Sequence, residues 1–118
     1  MIEWFALVGT EVVGPFSTFD QWYTEHGGPD WRYHEWNRTG HDPWRVARDR
    51  LPDGTEVSTV FLGLDHAHWP NAPRQLFETI VLPACDIAAR CATWDEAVVQ
   101  HATVLNEMRE RWTTTHKN

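Results

Sequence analysis

The chain has 118 residues, 42% of them apolar, and a formal net charge of −7. That length suits one domain, residues 1–118, with a single core, and that apolar content excludes a disordered chain. The negative charge excludes a general nucleic-acid binder, which needs a basic face, and no apolar run reaches the roughly 20 residues that span a bilayer.

The first residues lack a basic start followed by an apolar core. A cytoplasmic location is therefore expected, with Cys85 and Cys91 reduced. Nine of the ten basic side chains are Arg, and there are eight Trp.

In chain order, residues 4–8 (WFALV) read as a short strand. Gly9 to Glu11 make a turn, Val12-Val13 return, and Gly14-Pro15 break the run. Thr18 with Gln21 forms a capping box that opens a helix of about two turns, with Phe19, Trp22 and Tyr23 on its apolar side. Gly27-Gly28-Pro29 ends it. Residues 27–43 read as a long loop pinned by aromatics. The segments 44–51 and 55–66 flank Pro52-Asp53-Gly54 and read as a hairpin. With a two-residue turn, Arg48 and Arg50 fall on the Thr59 side, and the face carrying Leu62, Leu64 and His66 packs under the last helix. A third strand is expected at 75–82. Thr93 and Glu96 cap a final helix over 94–112. Its apolar stripe runs through Trp94, Ala97, Val98, His101, Leu105, Met108 and Trp112. The expected class is α+β. An antiparallel sheet of three to five strands carries a short N-terminal helix and a long C-terminal helix packed on one face.

Two stretches carry resemblances. The run VSTVFLGLDH, then LFETIV, then TWDEAVVQH opening a helix resembles a family of small proteins. These are encoded by tailed bacteriophages and prophages, chiefly of actinobacteria. The loop after Asp65-His66, usually glycine-rich in that family, is here His68-Trp69-Pro70-Asn71. The resemblance implies a phage origin but carries no activity onto named residues. Residues 4–23, with W-F, then GPFS, then a helix bearing Trp22, are similar to the start of GYF-type domains. That similarity implies a binder of proline-rich peptides, with Trp4, Phe16 and Trp22 forming an exposed groove.

Three groups of residues carry chemistry. His66 and His68 sit at metal-ligand spacing, and His101 lies on the helix stripe, with Asp65 nearby. They form either a metal site, with hydrolysis as its chemistry, or a hydrogen-bonded His66–His101 pair closing the end of the core. Arg48, Arg50 and Thr59 would hold an anion through two guanidinium forks and a hydroxyl. The alternative is that the Arg side chains pair across strands with Glu56, Glu78 or Asp49. Trp31, Trp36, Trp44 and Trp69, with Tyr33, would stack on a base or grip a partner.

No nucleophile elbow, P-loop or GxGxxG is present, and no motif supports a thiol–His dyad. No cofactor is called for. The expectation is a phage-encoded, non-enzymatic binding protein, with counter-defence as its role. Its partner is either a nucleotide-like small molecule or a host protein. The alternatives are the His-based hydrolase and the GYF-like peptide binder.

Overall fold

The computed structural model describes residues 3–25, 27–66 and 72–115. Among them lie β1 (Trp4–Val8), β2 (Glu11–Phe16), α1 (Phe19–Thr24), α2 (Pro29–Thr39), β3 (Arg45–Arg50), β4 (Glu56–Phe61), β5 (Phe77–Leu82), β6 (Asp86–Cys91) and α3 (Trp94–Thr115). Strands β3-β4-β5-β6 form one antiparallel sheet in that order, and β1-β2 form a separate hairpin. Helix α3 packs across all four strands of the larger sheet. The class is α+β, as expected from the sequence.

The caps follow the sequence. Thr18 Oγ1 accepts the Gln21 N–H at 3.1 Å and opens α1. Thr93 Oγ1 accepts the Glu96 N–H at 3.2 Å and donates to the Glu96 carboxylate at 3.0 Å, opening α3. The stripe Ala97, His101, Leu105, Met108 and Trp112 turns inward, whereas Val98 is exposed. Helix α3 also runs three residues past the expected end.

Two elements differ from the sequence reading. The expected 27–43 loop contains the 11-residue helix α2. Pro29 stands in its first turn, where the missing N–H costs nothing, and Gly40 ends it in the left-handed conformation at φ 79°. Helix α1 ends before the Gly-Gly-Pro run, at Thr24 with Glu25 in extended backbone as its cap, and Gly28 is instead the N-cap of α2. Strand β6 was not expected. Its short, Ala-rich segment is brought into register by a turn through Cys85, at φ 60°.

The hairpin turn decides which side chains share a face. Leu51 N–H donates to the Thr55 carbonyl at 2.7 Å, so Pro52-Asp53-Gly54 is a three-residue turn with Gly54 at φ 91°. Arg50 opposes Glu56, Asp49 opposes Val57, Arg48 opposes Ser58 and Ala47 opposes Thr59. One residue more in the turn than expected exchanges the two faces. Arg48 and Arg50 therefore lie on the face opposite Thr59, which corrects the expected anion cradle.

The face under α3 is also the other one. Val57, Thr59 and Phe61 are fully buried there. The strand's alternation stops at Gly63 (φ 80°), so residues 62–66 do not continue it. Beyond that bend β1 pairs with the chain. Phe5 N–H donates to the Gly63 carbonyl at 2.8 Å, and Trp4 bridges Leu64. This docking makes one core of Phe5, Leu7, Trp22, Trp44, Phe61, Leu76, Phe77 and Ala97. A second cluster, Leu51, Val57, Val104 and Leu105, sits under the far half of α3. Burying each of the Val, Leu and Phe side chains contributes about 1.5–3 kcal/mol.

Candidate functional site

Helix α2 presents the aromatic candidates, and its own anchor explains how. Arg32 lies over two indoles, its guanidinium carbon 4.7 Å from the Trp44 ring centroid and 5.4 Å from that of Trp36. Its fork bonds Asp42 at 2.8 and 2.5 Å. Asp42 is buried, and its Oδ1 also accepts the Trp44 backbone N–H at 3.0 Å. A bidentate, partly buried pair stacked on indoles is a strong and directional anchor. It ties α2 to the start of β3.

The consequence is a division among the predicted tryptophans. Trp44 is core, against Phe61, and Trp31 is half-buried against the same core. Trp36 remains 41% exposed and Tyr33, three residues earlier, 65% exposed. Trp69 lies outside the described residues. On α1, which packs on α2, Phe19 and Tyr23 are also exposed, with ring centroids 5.7 Å apart. Phe19 in turn contacts Trp4 and Trp22. Two consecutive helices thus show four large aromatic side chains to solvent. The sequence marked Trp36 and Tyr33. It read Phe19 and Tyr23 as the buried side of α1.

Trp22 is buried, and its indole N–H donates to the Phe5 carbonyl at 2.6 Å. It cannot line an exposed groove with Trp4 and Phe16, both of which pack half-buried against the core. The groove expected of a GYF-like binder is therefore not formed.

His101 is built into a buried polar chain rather than paired with His66. Its Nδ1 lies 2.8 Å from Thr59 Oγ1 and its Nε2 lies 2.8 Å from Asp49 Oδ2. Thr59 Oγ1 is 2.6 Å from Thr79 Oγ1, which accepts from Gln100 Nε2 at 2.9 Å. With the ring proton on Nε2, facing the Asp49 carboxylate, a consistent order of donors is Gln100 to Thr79, Thr79 to Thr59 and Thr59 to Nδ1. The order carboxylate, imidazole, hydroxyl is that of a nucleophilic triad. Thr59 has no exposed surface, however, so no substrate reaches its hydroxyl. The chain serves to join α3 to the sheet.

Both ring nitrogens of His101 are thus engaged. His66 lies beside the segment that leads into β5, its backbone N–H bonded to the Gln75 carbonyl, and Asp65 Oδ1 accepts the Gln75 N–H at 3.0 Å. His68 lies outside the described residues. Among the described residues no three His, Cys, Asp or Glu side chains gather where they could hold a metal.

The Arg pair meets its counter-charge on its own face. Arg48 bonds the Glu56 carboxylate, and Arg50 lies 3.7 Å from the same oxygen. Cross-strand pairing with Glu56 replaces the anion site. Cys91 lines a shallow groove between β6 and α3 with Arg90, Glu96 and Val99. Burial, and then the neighbouring Glu96 carboxylate, pushes its thiol up to about 11. It is a poor nucleophile at neutral pH.

Comparison with protein-family models, curated proteins and solved structures finds no match to this chain. Among the described residues no helix is long and apolar enough to cross a membrane.

Proposed function

We propose that this chain is a phage-encoded, non-enzymatic binding protein that docks on a host protein through the aromatic surface of α1 and α2. The observation that carries this reading is the exposure of Tyr33 and Trp36 on a helix fixed by the Arg32–Asp42 fork. Aromatic side chains on a rigid element lose little entropy on contact and anchor interfaces well. Phe19 and Tyr23 extend the same kind of surface onto α1. A counter-defence role follows from the phage resemblance of the VSTVFLGLDH, LFETIV and TWDEAVVQH segments, and is association rather than mechanism. The nucleotide reading is the weaker of the two binding modes, because Arg48 and Arg50 face away from Thr59 and share Glu56.

The test is affinity capture from host-cell lysate with the native chain and with Tyr33→Ser/Trp36→Ser. Tyr33 is largely exposed, whereas Trp36 also stacks under the Arg32 guanidinium, so the variant should lose about 1–2 kcal/mol of stability and is checked for its fold by circular dichroism before capture. The native chain should retain a protein that the variant loses. Capture of the same proteins by both would overturn the assignment to this surface.

A further inference from the structure

We propose that the face of the four-stranded sheet turned away from α3 is a second docking surface, fitted to an acidic amphipathic helix of a partner protein. The register places its side chains in three rows. Arg45, Val60, Glu78 and Arg90 form one; Arg48, Ser58, Ile80 and Ile87 the next; Arg50, Glu56 and Leu82 the last. Among the described residues α3 is the helix that packs on these four strands, from the other side, and neither α1 nor α2 makes more than marginal contact with them.

Its charge runs against that of the chain. Four guanidinium groups stand here with two carboxylates, on a protein of net charge −7. Arg90 is matched by Glu78, at 2.9 and 3.1 Å. At the opposite edge Arg48 and Arg50 share the single carboxylate of Glu56, and the Arg50 side chain is 67% exposed. Arg45 Nε, at the head of the first row, is buried without an acceptor among the described residues. Two positive charges are therefore in excess. Between the two charged edges runs an apolar strip of half-buried Val60, Ile80 and Leu82 that ends on Ile87, 55% exposed.

An apolar strip flanked by surplus guanidinium groups complements a helix with one apolar stripe and acidic flanks. A helix lying on a twisted sheet is also the packing that α3 uses on the opposite face. A second copy of this chain fits less well. A two-fold dimer would set this face against itself and double the uncompensated positive charge. A nucleic acid would meet the acidic remainder of the chain.

The experiment uses two synthetic helices of about 18 residues, or five turns. Both carry the same Leu stripe, one with Glu and one with Lys at the other positions. Binding to the full chain is read by fluorescence anisotropy. The Glu peptide should bind, the Lys peptide should not, and raising salt from about 0.05 to 0.5 M should weaken the complex. Arg50→Glu should weaken it by about fivefold, and Ile87→Ser should weaken it as well. Ile87 is exposed, and Glu56 keeps Arg48 as its partner when Arg50 is changed; urea denaturation of both variants checks that the fold is kept. Tyr33→Ser/Trp36→Ser should bind the Glu peptide unchanged, which separates this surface from that of α1 and α2. Equal binding of both peptides, binding of neither, or indifference to Arg50→Glu would overturn the proposal. So would self-association that Ile87→Ser abolishes.

Discussion

His101 Nδ1 and the Thr59 hydroxyl share a hydrogen bond at 2.8 Å, in the middle of a buried chain that links α3 to β3, β4 and β5. Burial raises the cost of breaking any one link, because the orphaned partner has no water to turn to.

Thr59→Val keeps the shape and removes the hydroxyl. It takes away the hydrogen-bond partner of His101 Nδ1 and the β4 partner of the Thr79 hydroxyl. The expected loss is roughly 1–3 kcal/mol, read as a lowered midpoint in urea denaturation. Thr79→Val should cost a similar amount. The double variant should cost less than the sum of the two, with a coupling of about 0.5–3 kcal/mol. Strict additivity would show that the two hydroxyls do not act as one network.

Gly63 is the joint between the β1–β2 hairpin and the large sheet. Its φ is +80°, and a Cβ there would meet the Trp44 ring at 2.9 Å and the Trp22 ring at 3.0 Å. Both rings are held by the core and cannot swing away. Gly63→Ala should therefore cost more than the roughly 1–2 kcal/mol of left-handed strain alone. It should also change the near-ultraviolet Trp signal. Gly54→Ala, at φ +91° with open space around it, should carry the strain without the clash. Equal destabilisation by the two changes would remove the packing argument.

The two thiols should differ in reactivity. Cys85 is exposed on the β5–β6 turn, whereas Cys91 is half-buried with its thiol raised to about 11. Iodoacetamide at pH 8 should give a singly modified protein, with the adduct on Cys85 by peptide mapping. The raised thiol in the fold means that the folded chain holds its proton more tightly than the unfolded one. This contribution to stability is complete below about pH 9 and is lost as pH rises toward 11. Cys91→Ser should flatten that part of the pH–stability curve. An unchanged curve would show that burial of Cys91 has no such effect.

The Arg48–Arg50 pair shows where sequence reading reached its limit. That the two side chains share a face follows from the period of a strand. Which face it is depended on one residue of turn length, and only the Leu51–Thr55 bond settled it. Residues 27–43 show a second limit. Trp31 falls on the core side of α2 and Tyr33 and Trp36 on the solvent side, so no single apolar stripe marked a helix. The helix is held by Arg32 and Asp42, ten residues apart, a pairing that no local pattern announces. His101 was legible as an inward-facing residue, but its partners Thr59 and Asp49 lie on two other elements.

The sequence by itself determined the α+β class, the caps of α1 and α3, the inward stripe of the long helix and the β3–β4 hairpin. Each rests on residues within one or two turns of one another, where short-range hydrogen bonding and hydrophobic period act alone. Only the tertiary structure decided which sheet face α3 covers, which tryptophans are core, and which aromatics remain on the surface. Those outcomes depend on register and on contacts between elements far apart in the chain. There a single added residue or one buried ion pair redirects a whole row of side chains.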